Sequence, residues 1–224
     1  MKSPITHIAI ATLALLLSNS TNSVLAAPQT TNHLVNVAQA QKASDNLIIP
    51  GQRVGPVTST TTKEDLVKLF GASRLVDKTI PGAEGMGSYA ATQVNLGKER
   101  SFLVVWSDNT RSKPLTVSDF GSAWKTPEGL SVGTPLNELR QKLGNFQLYG
   151  LGWDYSGTIL LSTSRLPGYQ GKLILRVNAA PNAYKNYPKD YKAVSGDRTF
   201  SSSDRHWKSL GIRLTQISVL LNQE

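Results

Sequence analysis

Nucleophilic chemistry in this chain would have to centre on one short run, "SSSDRHWKS" (Ser201 to Ser209), because histidine is scarce. Only three histidines occur, and His7 and His33 fall before anything that reads as folded. Ser203, Asp204 and His206 supply the residue types of a nucleophile, an acid and a base, but adjacency in sequence is not triad geometry. No Gly-x-Ser-x-Gly elbow is present to lift a serine onto a sharp turn. The run therefore reads as an exposed loop carrying a histidine, with Arg205 and His206 kept as binding candidates. The chain has no cysteine. That removes disulfides, thiolate nucleophiles and Cys-type metal sites together. The carboxylates are scattered and no His cluster exists, so neither a metal nor a cofactor is expected. The glycine-rich "GAEGMG" (Gly82 to Gly87) follows no strand-to-helix pattern that would aim amides at a phosphate.

Paired carboxylates are the remaining route to catalysis. A glycosidase holds two across a cleft, and Glu84 and Asp154 are the candidates by elimination. Asp154 sits in "GLGWDYSG" (Gly150 to Gly157), where its plainer role is an Asx-turn side chain that fixes the backbone. Trp106, Trp124 and Trp153 read first as core residues. Trp153, flanked by glycines that open space around it, is also a candidate ligand platform.

Charge offers a different chemistry. The chain carries a net +9, or +8 once Lys2 is removed with a signal peptide. From Ala27 to Ser164 there are 13 basic and 11 acidic residues; from Arg165 to Glu224 there are 10 basic and 4 acidic. The excess is therefore concentrated near the C-terminus. There "NAYKNYPKDYK" (Asn182 to Lys192) interleaves Tyr184, Tyr187 and Tyr191 with Lys185, Lys189 and Lys192. Pro188 argues against one regular helix through them, and the stretch reads as a loop between two strands. It is either a solvated loop or a surface for an anionic partner. Tyr stacking and Lys–phosphate contacts would also suit nucleic acid, but export and the lack of a recognised motif make nucleic acid an unexpected physiological partner.

The elements that must position these residues begin after a targeting segment. Lys2, the apolar "IAIATLALLL" (Ile8 to Leu17) and the small residues Val24 and Ala26 read as a secretory signal over residues 1–26. No later stretch is long and apolar enough to span a bilayer. Residues 27–47, rich in Gln, Asn, Thr and Ala, read as a flexible leader. The chain then repeats itself. "VTSTTTKEDLVKLFG" (Val57 to Gly71) and "LSVGTPLNELRQKLG" (Leu130 to Gly144) match at one constant offset. Thr61 pairs with Thr134, Leu66 with Leu139, Phe70 with Leu143 and Gly71 with Gly144. Each predicts a short amphipathic helix. Thr61 would cap the first, with Glu64 as its capping-box partner. Thr134 would cap the second, with Pro135 at the first helical position.

Strand-like runs follow each helix: Ser88 to Leu96 and Ser101 to Asp108, then Phe146 to Trp153, Gly157 to Ser164, Gly171 to Asn178 and Gly211 to Leu221. "TIPGAEGMGS" and "DNTRSKP" read as loops. The expectation is an α+β protein of two similar units, residues 48–128 and 129–224, each a short helix packed on a small antiparallel sheet.

This order of a glycine-stopped helix and a strand meander, used twice, resembles the tandem fold of the secreted β-lactamase-inhibitor protein family and the BamE-like envelope module. "GLSVGTPLNELRQKLG", "LYGLGWDYSGT" and "GDRTFSS" more closely resemble a family of uncharacterised exported bacterial proteins with a G-x-G-W-D-Y-x-G signature, over Ile48 to Leu221. That family carries no activity to transfer. The wider resemblance implies protein binding through a concave sheet. The chain departs from those members in lacking both the lipid-modified cysteine and disulfides, so no particular partner carries over. The sequence thus points to an exported, periplasmic or extracellular, non-enzymatic binding module engaging an envelope protein or an anionic envelope polymer. The alternative is a cell-envelope glycan hydrolase using Glu84 and Asp154.

Overall fold

The computed structural model describes residues 45–82 and 87–222. The predicted signal peptide, the leader up to residue 44 and Glu84 lie outside them. The protein is α+β, with antiparallel sheets and few, short helices.

The chain enters through a small sheet of β1 (Ile48–Ile49), β2 (Arg53–Val54) and β3 (Val57–Thr58). The last residues of the expected leader belong to it. Ile48 N–H donates to Lys125 O, Gly55 N–H donates to Leu47 O, and Asp45 accepts from Arg53 at 2.9 Å. The ion pair, the Gly55–Leu47 bond and a bond from Lys125 N–H to Asn46 O at 3.0 Å tie Asp45, Asn46 and Leu47 down, so these three residues of the expected leader are part of the fold.

Helix α1 (Lys63–Phe70) starts one residue later than the sequence implied. Thr62, not Thr61, is its cap, and Asp65, not Glu64, completes the capping box. Thr61 is committed elsewhere: its hydroxyl accepts from Thr58 N–H at 2.9 Å and closes the turn before the helix. The second helix, α2 (Leu136–Leu143), shows the same shift. Pro135 occupies the capping position with extended backbone and no side-chain cap, while the Thr134 hydroxyl accepts from Ser131 N–H at 3.2 Å. The first amide of each helix is held alike. Lys63 N–H donates to Arg111 O and Leu136 N–H donates to Ile212 O, each at 3.0 Å. Leu66, Phe70, Leu139 and Leu143 are all buried in one core.

After α1 come β4 (Leu75–Pro81), β5 (Ser88–Val94), β6 (Phe102–Trp106) and β7 (Pro114–Ser118). After α2 come β8 (Gln147–Tyr149), β9 (Ile159–Leu160), β10 (Leu173–Asn178), β11 (Thr199–Ser201) and β12 (Arg213–Leu220). The central sheet runs β10-β12-β7-β6-β5-β4, so the last strands of the two halves lie side by side, with Val219 opposite Val117. A smaller sheet runs β11-β8-β9 and meets β10 through a bridge between Thr158 and Arg176.

All five residues of β6 are buried, as befits a strand inside the sheet. Phe102, Val104 and Trp106 face the helices, and Phe102 meets Phe70 and Trp124 edge-on at 5.7 and 5.1 Å, a favoured aromatic geometry. Ala91, Leu103 and Val105 alternate to the other face, where Ile80 and Tyr89 pack on them. The strand β4 corrects the reading of "TIPGAEGMGS" as loop: Thr79–Pro81 pair with Ser88–Ala90. It lies at the edge of the sheet, so both its faces stay largely exposed and its polar composition carries no strand signature.

Candidate functional site

The Tyr/Lys stretch is helical, contrary to the loop expected. Helix α3 (Ala183–Asn186) and helix α4 (Pro188–Ala193) are separated at Tyr187. Pro188 breaks the run, as its chemistry requires, and then opens the second helix, where its missing N–H leaves no bond unmade. Tyr184, Tyr187, Lys185, Lys189 and Lys192 are exposed. Tyr191 instead turns inward, packing on the core and meeting Tyr184 at 6.3 Å.

The "GLGWDYSG" turn lies beside the end of α4. Leu151 N–H donates to Val194 O at 2.9 Å, and Gly196 N–H donates to Leu151 O at 3.1 Å. Trp153 is not a core residue: it is 61% exposed and Tyr155 59%. The other three tryptophans, Trp106, Trp124 and Trp207, are at most 2% exposed. The turn is fixed from within by Ser156, whose hydroxyl accepts from Gly152 N–H at 3.0 Å. Asp154 therefore does not play the Asx-turn part; it is exposed and makes no hydrogen bond among the described residues. Its proposed catalytic companion, Glu84, lies outside those residues.

Ser203, Asp204 and His206 do not assemble a triad. Asp204 caps a 3-10 turn, Arg205–Leu210, by accepting from the His206 backbone N–H at 2.9 Å. The Ser203 hydroxyl lies 2.7 Å from that of Ser201. His206 is half-buried, not a free loop residue: its Nδ1 is 2.7 Å from Asp190 Oδ1 of α4. Ser209 donates to the other oxygen of Asp190 at 2.5 Å. Hydrogen bonds from His206 and then Ser209 hold the Asp190 carboxyl below the usual carboxylate range, against a smaller opposing effect of desolvation. An ionised Asp190 makes Nδ1–H the donor. Asp190 is thus the tie between the Tyr/Lys helices and the 3-10 turn.

The other side of that turn opens on a hollow of about 480 Å³. Its position follows from the backbone ladder that brings the start of α2 against the start of β12. Gly133 N–H donates to Leu214 O at 2.7 Å and Leu214 N–H to Thr134 O at 2.8 Å. The hollow is lined by Arg140 of α2, Arg205 and Lys208 of the 3-10 turn, and Arg213 of β12. Asp204 is the one carboxylate among its lining residues. A second hollow of about 370 Å³ adjoins it, sharing Asn137 and Arg140 and adding Arg165. None of these five cations takes part in an ion pair among the described residues, whereas Arg53, Lys63, Lys68, Arg111 and Lys142 each have a carboxylate within 4 Å. The α2 helix, uncapped by any side chain, points the positive end of its dipole into the same region.

Of the binding candidates named from sequence, Arg205 alone lines this hollow; Ser203 and Asp204, considered above for a triad, line it too. His206 anchors its wall, and the Tyr/Lys helices stand behind that wall. The charge excess after Arg165 already contained Arg165, Lys208 and Arg213, but only folding brings Arg140 to them. Among the described residues no cluster of three or more His, Asp or Glu is placed to hold a metal ion, and no helix is long and apolar enough to cross a membrane.

No protein-family model matches the chain, and no curated protein sequence matches it. Among solved structures, the uncharacterized protein yfeY from Escherichia coli is similar at 10% identity and a TM-score of 0.43, over 76% of this chain and 95% of that one.

Proposed function

We propose that this chain is an exported, non-enzymatic binding module of the cell envelope that docks an anionic partner in the arginine-lined hollow. The observation that carries this reading is the set of five cations, Arg140, Arg165, Arg205, Lys208 and Arg213, gathered on two adjoining hollows, none of them in an ion pair within 4 Å among the described residues. Clustered charge of one sign in a concave site concentrates field and steers an oppositely charged ligand. Guanidinium forks also favour planar anions that accept two hydrogen bonds at once. The exposed Tyr184, Lys185, Tyr187, Lys189 and Lys192, with Trp153 nearby, extend the cationic and aromatic surface behind the hollow.

We also propose that the two halves derive from one helix-and-meander unit. Support comes from the Thr61 and Thr134 turns and from the matched capture of Lys63 N–H and Leu136 N–H by the loop before each closing strand.

The test is binding of the mature protein to an immobilised polyanion across a salt series. Exposed charges are screened within about 10 Å at 0.1 M salt, so binding should weaken steeply as salt rises. Arg140→Gln together with Arg213→Gln should weaken it further and flatten the salt dependence. Binding that ignores both salt and the double variant overturns the proposal.

A further inference from the structure

We infer that the ligand of the arginine-lined hollow is an acidic peptide segment carrying an apolar side chain, and not a bare polyanion. The inference rests on the anionic-partner reading above and narrows it to one class. The rim of the hollow is cationic, but its floor is not. Pro135 and Leu136 enter from the start of α2, Trp207 from the 3-10 turn and Ile212 from the approach to β12. Trp207 and Ile212 are nearly buried, at 2% and 3% exposure, so they present only an edge and form a firm base. A chain of phosphates or sulfates makes no use of such a floor. An acidic peptide uses both parts, seating an aliphatic or aromatic side chain on the half-buried Pro135 and Leu136, backed by Trp207 and Ile212, while its carboxylates reach the rim.

The rim is also braced for carboxylates. Arg213 Nη1 donates to Gly133 O at 3.0 Å, and Arg140 donates through Nε and Nη2 to Asn145 Oδ1 at 3.3 and 3.2 Å. These bonds orient the guanidinium planes and leave further N–H groups on each free to bind. Three of the four cations on this rim are arginines, the side chain suited to bidentate carboxylate recognition. Asn137 and Ser203, both exposed on the walls, can hydrogen-bond a peptide backbone.

The experiment compares three labelled probes by fluorescence anisotropy: a short oligoglutamate with a central leucine, the same peptide with glycine at that position, and inorganic polyphosphate. The leucine peptide should bind about tenfold or more tightly than the glycine peptide, as expected when one leucine side chain leaves water. Arg140→Gln with Arg213→Gln should weaken both peptides, and Lys98→Gln, at an exposed site outside the hollow, should weaken neither. Equal affinity of the two peptides overturns the inference while leaving the anionic-partner reading intact. So does polyphosphate binding more tightly than the leucine peptide. Failure of all three probes to bind overturns both. Unchanged thermal melting of the double variant excludes unfolding as the cause of weaker binding.

Discussion

Asp77 is a residue where charge supports the fold. It receives hydrogen bonds from Lys63 of α1 and from Thr92 of β5, and Arg111 lies 3.8 Å away. Thr92 in turn accepts from the buried Trp106 indole at 3.0 Å. Burial pushes the Asp77 carboxyl up, but the bonds from Lys63 and Thr92 and the charges of Lys63 and Arg111 outweigh it and hold it below the usual range. A depressed folded pKa stabilises the protein above the unfolded value of about 4 and loses that contribution as pH falls through the folded value. Asp77→Asn should therefore lower the melting temperature at pH 7, and the gap to the parent should close below about pH 4. A gap that is constant with pH would contradict the role assigned to the charge. Gly157 makes a different kind of demand. Its φ of +67° and the Val177 carbonyl oxygen, which occupies the space a β-carbon would need, leave room for no side chain. Gly157→Ala should destabilise by roughly 1–3 kcal/mol in chemical denaturation. The glycines around Trp153 were legible as open space in the sequence. Their work at Gly157 is the reverse, a close backbone approach, and only the neighbouring strand reveals it.

At the scale of elements, the two helices were legible because a buried stripe repeats with helical spacing and a glycine ends each. Leu66 and Leu139 are fully buried, and replacing either with alanine should cost about 2–5 kcal/mol. Equal and additive losses would fit two equivalent helices in one core; an unaffected midpoint in either variant would remove that helix from the account. Each helix start was misplaced by one residue: before α1 three threonines stand in a row and only the turn geometry decides which hydroxyl serves the helix, and before α2 the lone Thr134 hydroxyl is taken by the Ser131 turn, leaving Pro135 at the cap. The edge strand β4 stayed hidden because an exposed strand needs no apolar alternation. Helices α3 and α4 stayed hidden because Pro188 read as a breaker of one helix, when it also begins the next. Asp190 joins α4 to the 3-10 turn through His206 and Ser209. Asp190→Asn should speed amide hydrogen exchange in residues 183–193 selectively, leaving α1 protected; uniform change across the chain would mean the tie is not local.

For the whole molecule, the fold class followed from strands spaced too closely for crossover helices, and the structure joins them into a central sheet across both halves. The hollow was not legible. Arg140, Arg165, Arg205, Lys208 and Arg213 are spread over three separate stretches of chain; contacts of Gly133, Thr134 and Leu136 with the β12 segment, and of Arg165 N–H with Leu143 O, unite them. The Tyr/Lys stretch, by contrast, announced itself as a local run, which is why sequence placed the docking surface there. The two surfaces lie on opposite sides of the Asp190 tie and can be told apart. The most direct measurement is a map of backbone amide chemical-shift changes as a labelled sample of the folded protein is titrated with the leucine-bearing oligoglutamate. The account predicts changes concentrated at Leu136–Arg140 and Ser202–Arg213, lost on raising salt. Changes confined to Tyr184–Lys192 and the Trp153 turn, with the hollow silent, would contradict it.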